Sequence, residues 1–188
     1  MKKVDYQIDE KGEWISEARL VPSPNCDDRP EVSDIDLLVI HGISLPPKEY
    51  GGEFIDQLFT NTLDKEAHPY FAEIHELRVS SHVLINREGK VTQYVPFIKR
   101  AWHAGESTFC GRSQCNDFAI GIELEGCDEE AYSDEQYETL AVITNLICQR
   151  WQKITKDRIV GHSDIAPGRK TDPGSAFDKN HYFSLLEL

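Results

Sequence analysis

The sequence predicts an α/β fold: one domain over residues 1–188, with a mixed central β-sheet flanked by α-helices. Three observations carry that expectation. Leu37 to His41 (LLVIH) and Phe118 to Gly126 (FAIGIELEG) are apolar runs of strand length. Ser81 to Phe97 alternates, with β-branched residues on both sides of Arg87-Glu88-Gly89, the pattern of a β-hairpin. Tyr137, Leu140, Ala141, Thr144, Ile147, Cys148 and Trp151 recur at helical spacing and form one apolar stripe to lay on a sheet.

In chain order, Leu20 to Asp36 is rich in proline and reads as an irregular approach. LLVIH is apolar without a break, as in a strand buried on both faces, and it ends in His41, whose ring falls at the strand tip. GISLPPKEY stops that strand. Glu53 to Thr60 (EFIDQLFT) fits a short helix with Phe54, Ile55, Leu58 and Phe59 inward. Along FAIGIELEG, Phe118, Ile120, Ile122 and Leu124 share one face, and Ala119, Gly121, Glu123 and Glu125 share the other. A strand burying the first face would present two carboxylates from the second. Ser133 with Gln136 three residues on is a capping-box signature for the main helix. A weaker helix closes the chain around Asp178 to Leu186. Gly161 to Gly174 (GHSDIAPGRKTDPG) reads as a loop, since Pro167 and Pro173 bar a helix between His162 and Asp172.

Composition narrows the function. Twenty Lys and Arg against 33 Asp and Glu leave a net charge of −13, which disfavours nucleic acid because phosphate needs a basic face. No apolar run approaches the ~20 residues of a membrane helix, so no membrane contact is expected. The N-terminal lysines have no apolar segment behind them, so the sequence predicts no secretory signal and a cytoplasmic protein. The five cysteines, an odd number without a CxxC pair, then read as free thiols. No repeat or linker divides the chain, and a monomer is expected.

A catalytic zinc takes three protein ligands and keeps a fourth position open. No HExxH pair is present, so any ligands must converge from separate segments. His162 and Asp172 stand at the two ends of a loop able to curl back on itself, and His41 could complete a set of three; the competing reading makes His162 and Asp172 turn-capping groups. His82, inside a strand, reads as a packed, hydrogen-bonded ring. His103, beside Trp102 in AWHAG, could line a pocket, His68 and His75 are ambiguous, and His181 reads as exposed.

WISEARLVPSPN, LLVIHGISLPP, HPYF, RVSSHVLI, VPFIKRAWHAG, CNDFAIGIELEG and GHSDIAPGRKTDPG occur in this order. Through them the chain, from about Trp14 to Phe183, resembles the zinc N-acetylmuramoyl-L-alanine amidases of peptidoglycan-recognition-like fold. Within them the resemblance is to the cytoplasmic enzymes that cleave 1,6-anhydro-N-acetylmuramyl-L-alanine in cell-wall recycling. It implies one Zn2+ on His41, His162 and Asp172, with Glu123 rather than Glu125 as catalytic carboxylate and Lys170 as stabiliser of the transition state. The implied substrate is an anhydromuramyl-peptide cut between the lactyl group and L-Ala. Its expected contacts are Trp102, His103 and Tyr70, with Arg78 and Arg112 on the stem-peptide carboxylates. Asp164 and Arg169 are expected to shape the loop. Two departures stand out: Gly42 where the family usually has Asn, and Ser163 and Gly168 where relatives often carry Cys and Glu. An amidase of polymeric wall and a non-catalytic peptidoglycan-binding module are the competing functions.

Overall fold

The computed structural model describes residues 4–188. Its elements run β1 (Arg19–Leu20), β2 (Cys26–Asp28), β3 (Leu37–Ile43), α1 (Phe54–Phe59), α2 (Phe71–Ile74), β4 (Val83–Ile85) and β5 (Val91–Gln93). They continue with β6 (Lys99–Ala101), β7 (Thr108–Phe109), β8 (Arg112–Ser113), β9 (Ala119–Glu125), α3 (Asp134–Arg150), β10 (Ile159–Gly161), α4 (His162–Ile165) and α5 (Lys179–Ser184). Six strands form the central sheet in the order β1-β5-β4-β9-β3-β10. Only β4 and β5, the expected hairpin, pair antiparallel; the other neighbours are parallel, so the sheet is mixed. The hairpin turns where the Asn86 side chain accepts the Glu88 and Lys90 N–H groups and Gly89 adopts φ +73°.

Alternation along β3 and β9 sends side chains to two cores. Leu38, Ile40, Ile120, Ile122 and Leu124 pack under α3, with Leu140, Ile143 and Ile147. Leu37, Val39, Ala119 and Phe118 face the opposite side with Cys115 and Ile165. A third cluster joins α1 and α2 to the hairpin through Ile55, Leu58, Phe59, Phe71, Leu84 and Tyr94. Helix α3 starts in the expected capping box: the Ser133 side chain accepts the Gln136 N–H, and the Gln136 side chain accepts the Ser133 N–H.

Three expectations need correction, on Phe118, the start of the His162 loop and the stretch before β3. All seven residues of β9 are buried, so the face that presents the two carboxylates is covered as well. Loops cover it, and Glu125 is consumed there by the N–H groups of Gly51 and Arg87. Phe118 also lies outside β9 and packs with the Ala119 cluster. His162 opens one helical turn, α4, which is short enough to end before Pro167. The stretch before β3 is only partly irregular, because β1 joins the sheet edge and β2 pairs with β6. No helix among the described residues is long and apolar enough to cross a membrane, and all five cysteines are free.

Candidate metal and catalytic site

The parallel pairing of β3 with β9 places His41 directly beside Glu123, on the sheet face away from α3. Parallel pairing of β10 with β3 then brings the chain to His162 at the start of α4, next to the tip of β3. The loop folds back so that the Asp172 carbonyl accepts the Ser163 N–H at 3.0 Å. Three donor atoms converge: His41 Nδ1 and His162 Nδ1 are 3.0 Å apart, and Asp172 Oδ2 lies 3.2 Å from the first and 3.1 Å from the second.

That triangle fits a zinc ion. Donors ~2.0–2.1 Å from a tetrahedral centre stand about 3.3 Å from one another, close to the three edges seen. The outward nitrogens give a second sign. His162 Nε2 lies 3.1 Å from the Ala104 carbonyl, which only accepts, so Nε2 carries the proton. That leaves Nδ1 aimed at the Asp172 carboxylate and the His41 ring, an arrangement that a cation between the three donors would satisfy. His41 Nε2 lies 2.9 Å from His103 Nδ1, so His41 is also held through its far nitrogen, as metal-bound imidazoles are. Burial pushes the His41 pKa down to about 4, keeping it neutral. Burial works to raise the Asp172 carboxyl, but the facing His162 and His41 rings outweigh it and hold the group ionised well below the usual range. Among the described residues these three form the group of donors able to hold an ion.

Glu123 is 7% exposed, and its carboxylate accepts no hydrogen bond among the described residues. Its pKa stands well above the usual carboxylate value, through burial first and the Asp172 charge second, with Lys170 acting the other way. Lys170 is solvent-exposed and shares a cleft of about 280 Å³ with Glu123 and the three metal-site residues. Loop-shaping falls to two neighbours: Asp164 accepts the Gly161 N–H at 2.8 Å, and Arg169 donates to the Ala104 and Glu106 carbonyls.

The cleft runs from these polar groups onto an apolar wall of Leu45, Leu58, Phe59, Ile74 and Leu77. Tyr70 and Trp102 line it, the indole N–H donating to Asp27 at 3.2 Å. His103 also borders it but is buried against His41, as a neighbour of the metal triangle. The two arginines are placed differently from the expectation. Arg112 is ion-paired with Asp34 and Asp36 outside the cleft lining, because those acidic side chains and the Phe118 ring claim its guanidinium. Arg78 is exposed at the rim between Leu77 and Val79, its guanidinium on the Glu76 carbonyl at 3.1 Å. His82 is a buried ring accepting the Gly121 N–H, and His68, His75 and His181 lie away from the triangle. Sequence reading missed the Ala104 carbonyl, a backbone group with no residue signature, and Tyr132, whose hydroxyl donates to the Pro173 carbonyl.

The N-acetylmuramoyl-L-alanine amidase family model matches residues 31–175. The chain is 57% identical over 178 residues to the 1,6-anhydro-N-acetylmuramyl-L-alanine amidase AmpD of Haemophilus influenzae, covering 95% of this chain and 96% of that protein. It is 59% identical over 165 residues to AmpD of Escherichia coli K12, covering 88% of this chain and 90% of that protein. The crystal structure of a selenomethionine AmpD derivative superposes with TM-score 0.90 at 57% identity, over 92% of this chain and 96% of that one. A complex of the E. coli amidase AmiD with anhydro-N-acetylmuramic acid-L-Ala-D-gamma-Glu-L-Lys matches with TM-score 0.60 at 28% identity, over 81% of this chain and 57% of that one.

Proposed function

This chain belongs to the N-acetylmuramoyl-L-alanine amidase family and is an anhydromuramyl-L-alanine amidase of peptidoglycan recycling; we propose that it works with one zinc ion on His41, His162 and Asp172. The carrying observation is the triangle of 3.0–3.2 Å edges with both far nitrogens anchored. Zinc held there would supply Lewis acidity, easing deprotonation of water and polarising a carbonyl. Glu123 takes a proton from the attacking water and returns it to the departing amide nitrogen, so water and amide become carboxylic acid and amine. Its raised pKa suits both halves of that transfer, because a buried carboxyl retains a proton that an ordinary carboxylate would release. Lys170, held through its backbone N–H on the Ala166 carbonyl while its ammonium has no hydrogen bond or ion pair among the described residues, is free to turn that ammonium toward the developing oxyanion. Trp102, Tyr70 and the apolar wall bind the substrate body, with Arg78 at the rim for a stem carboxylate.

The reaction is proposed to take place in the cytoplasm on released anhydromuramyl-peptides, a reading supported by the near full-length similarity to AmpD. Metal analysis combined with product identification tests it. The zinc-loaded protein is expected to release a peptide beginning with L-Ala from anhydromuramyl-tripeptide and little from intact sacculi. Equal release from sacculi would assign it to polymeric wall, and zinc binding without hydrolysis would make it a binding module.

A further inference from the structure

We propose that Tyr132 is a positioning residue for the metal ligand Asp172, and that Gly42 leaves the room its hydroxyl needs. The inference rests on the metal site proposed above and concerns groups outside the triangle. Tyr132 is 5% exposed and stands one residue before the cap of α3, 40 residues along the chain from Asp172. Its hydroxyl donates to the Pro173 carbonyl at 2.9 Å, immediately after the ligand. The same segment grips the metal loop twice more. The Asp128 carbonyl accepts the Ala176 N–H at 3.0 Å, and Gly174, at φ +85°, lets its backbone come so close to Asp128 that a β-carbon would collide there. Tyr132 also packs its ring on Phe177, with centroids 5.8 Å apart.

Two glycines border the ring. A β-carbon on Gly42, the residue after the ligand His41, would fall within contact distance of the Tyr132 hydroxyl oxygen, while the ring carbon bearing it would be at an ordinary 3.7 Å. A β-carbon on Gly126 would strike the ring itself. The hydroxyl thus bridges the end of β3, which carries His41, and the loop carrying Asp172. Losing its hydrogen bond leaves the fold intact but frees the Pro173 carbonyl and, through it, the Asp172 carboxylate. Outer partners of metal ligands are typically worth 10–100-fold in affinity. Tyr132 acts through one peptide unit, so the lower end of that range applies.

The test is zinc affinity by chelator competition on folded protein, with unfolding temperatures measured in parallel. Wild-type protein is expected to bind one zinc, and Tyr132→Phe to bind it about tenfold more weakly while keeping its circular dichroism. Gly42→Ala should weaken zinc in the wild-type background, where the hydroxyl must move, and cost far less in the Tyr132→Phe background, where no oxygen stands in the way. Ser133→Ala, which loosens the start of α3 and its tie to the hairpin turn but leaves the Tyr132 hydroxyl on Pro173, should keep affinity within about twofold and so separates positioning from general destabilisation. Unchanged affinity in Tyr132→Phe would overturn the proposal, as would equal costs of Gly42→Ala in the two backgrounds. A wild-type protein that binds no zinc would instead remove the metal site itself.

Discussion

Glu123 carries two burdens that a single substitution separates. Its folded-state pKa is raised by burial, so below about pH 4 both folded and unfolded chains hold the proton and no stability difference arises. Above that, the unfolded chain ionises more readily, and the folded state loses stability as pH rises toward the folded pKa. Glu123→Gln is therefore expected to raise the unfolding temperature of the metal-free protein at pH 7–8, to lose that advantage near pH 4, and to abolish turnover while zinc remains bound; calorimetry at the two pH values and a hydrolysis assay check this. Lys170→Ala is expected to lower kcat by about 10²–10³, the usual cost of one oxyanion donor, with zinc content unchanged. Steady-state kinetics on zinc-replete enzyme decide it. At this scale the sequence was readable where chemistry and backbone direction coincide. His41 ends an apolar strand, and His162 and Asp172 end one loop. Arg112 was not readable, because a guanidinium can pair with any nearby carboxylate, and here Asp34 and Asp36 hold it. His103 was placed at the pocket correctly, while its hold on His41 depends on a crossing of β3 with the AWHAG loop that no local pattern encodes.

Elements with a strong period or a cap were legible. Ser133 caps α3 through the Gln136 N–H at 3.2 Å and also donates to the Arg87 carbonyl at 2.8 Å, tying helix start to hairpin turn. Ser133→Ala is expected to cost about 1 kcal/mol, read as a fall of about 2–4 °C in Tm, with activity retained at assay temperature. Short elements were not legible. One turn of helix at His162 spans four residues, too few to show a 3.6-residue period, and β1 has two residues with its partner β5 far along the chain. Strand β9 exposes the limit of alternation: period two separates its faces correctly, but whether the second face meets water depends on the loops folded over it.

Over the whole molecule, the mixed sheet with flanking helices follows from the balance of hairpin, buried strands and one capped helix. The order β1-β5-β4-β9-β3-β10 does not, because parallel neighbours far apart in sequence leave no local mark. That order nonetheless makes the site: β9 brings Glu123 beside β3, β3 ends in His41, and β10 delivers His162. The central claim is that the His41, His162 and Asp172 triangle must be filled by zinc for the amide to be cleaved. It is tested most directly by adding zinc back to metal-free protein and following release of L-Ala-peptide from anhydromuramyl-tripeptide. Turnover should rise from near zero in proportion to bound zinc and level off at one ion per chain. Full turnover by the metal-free chain, or a rise unaffected by His162→Ala, would contradict it.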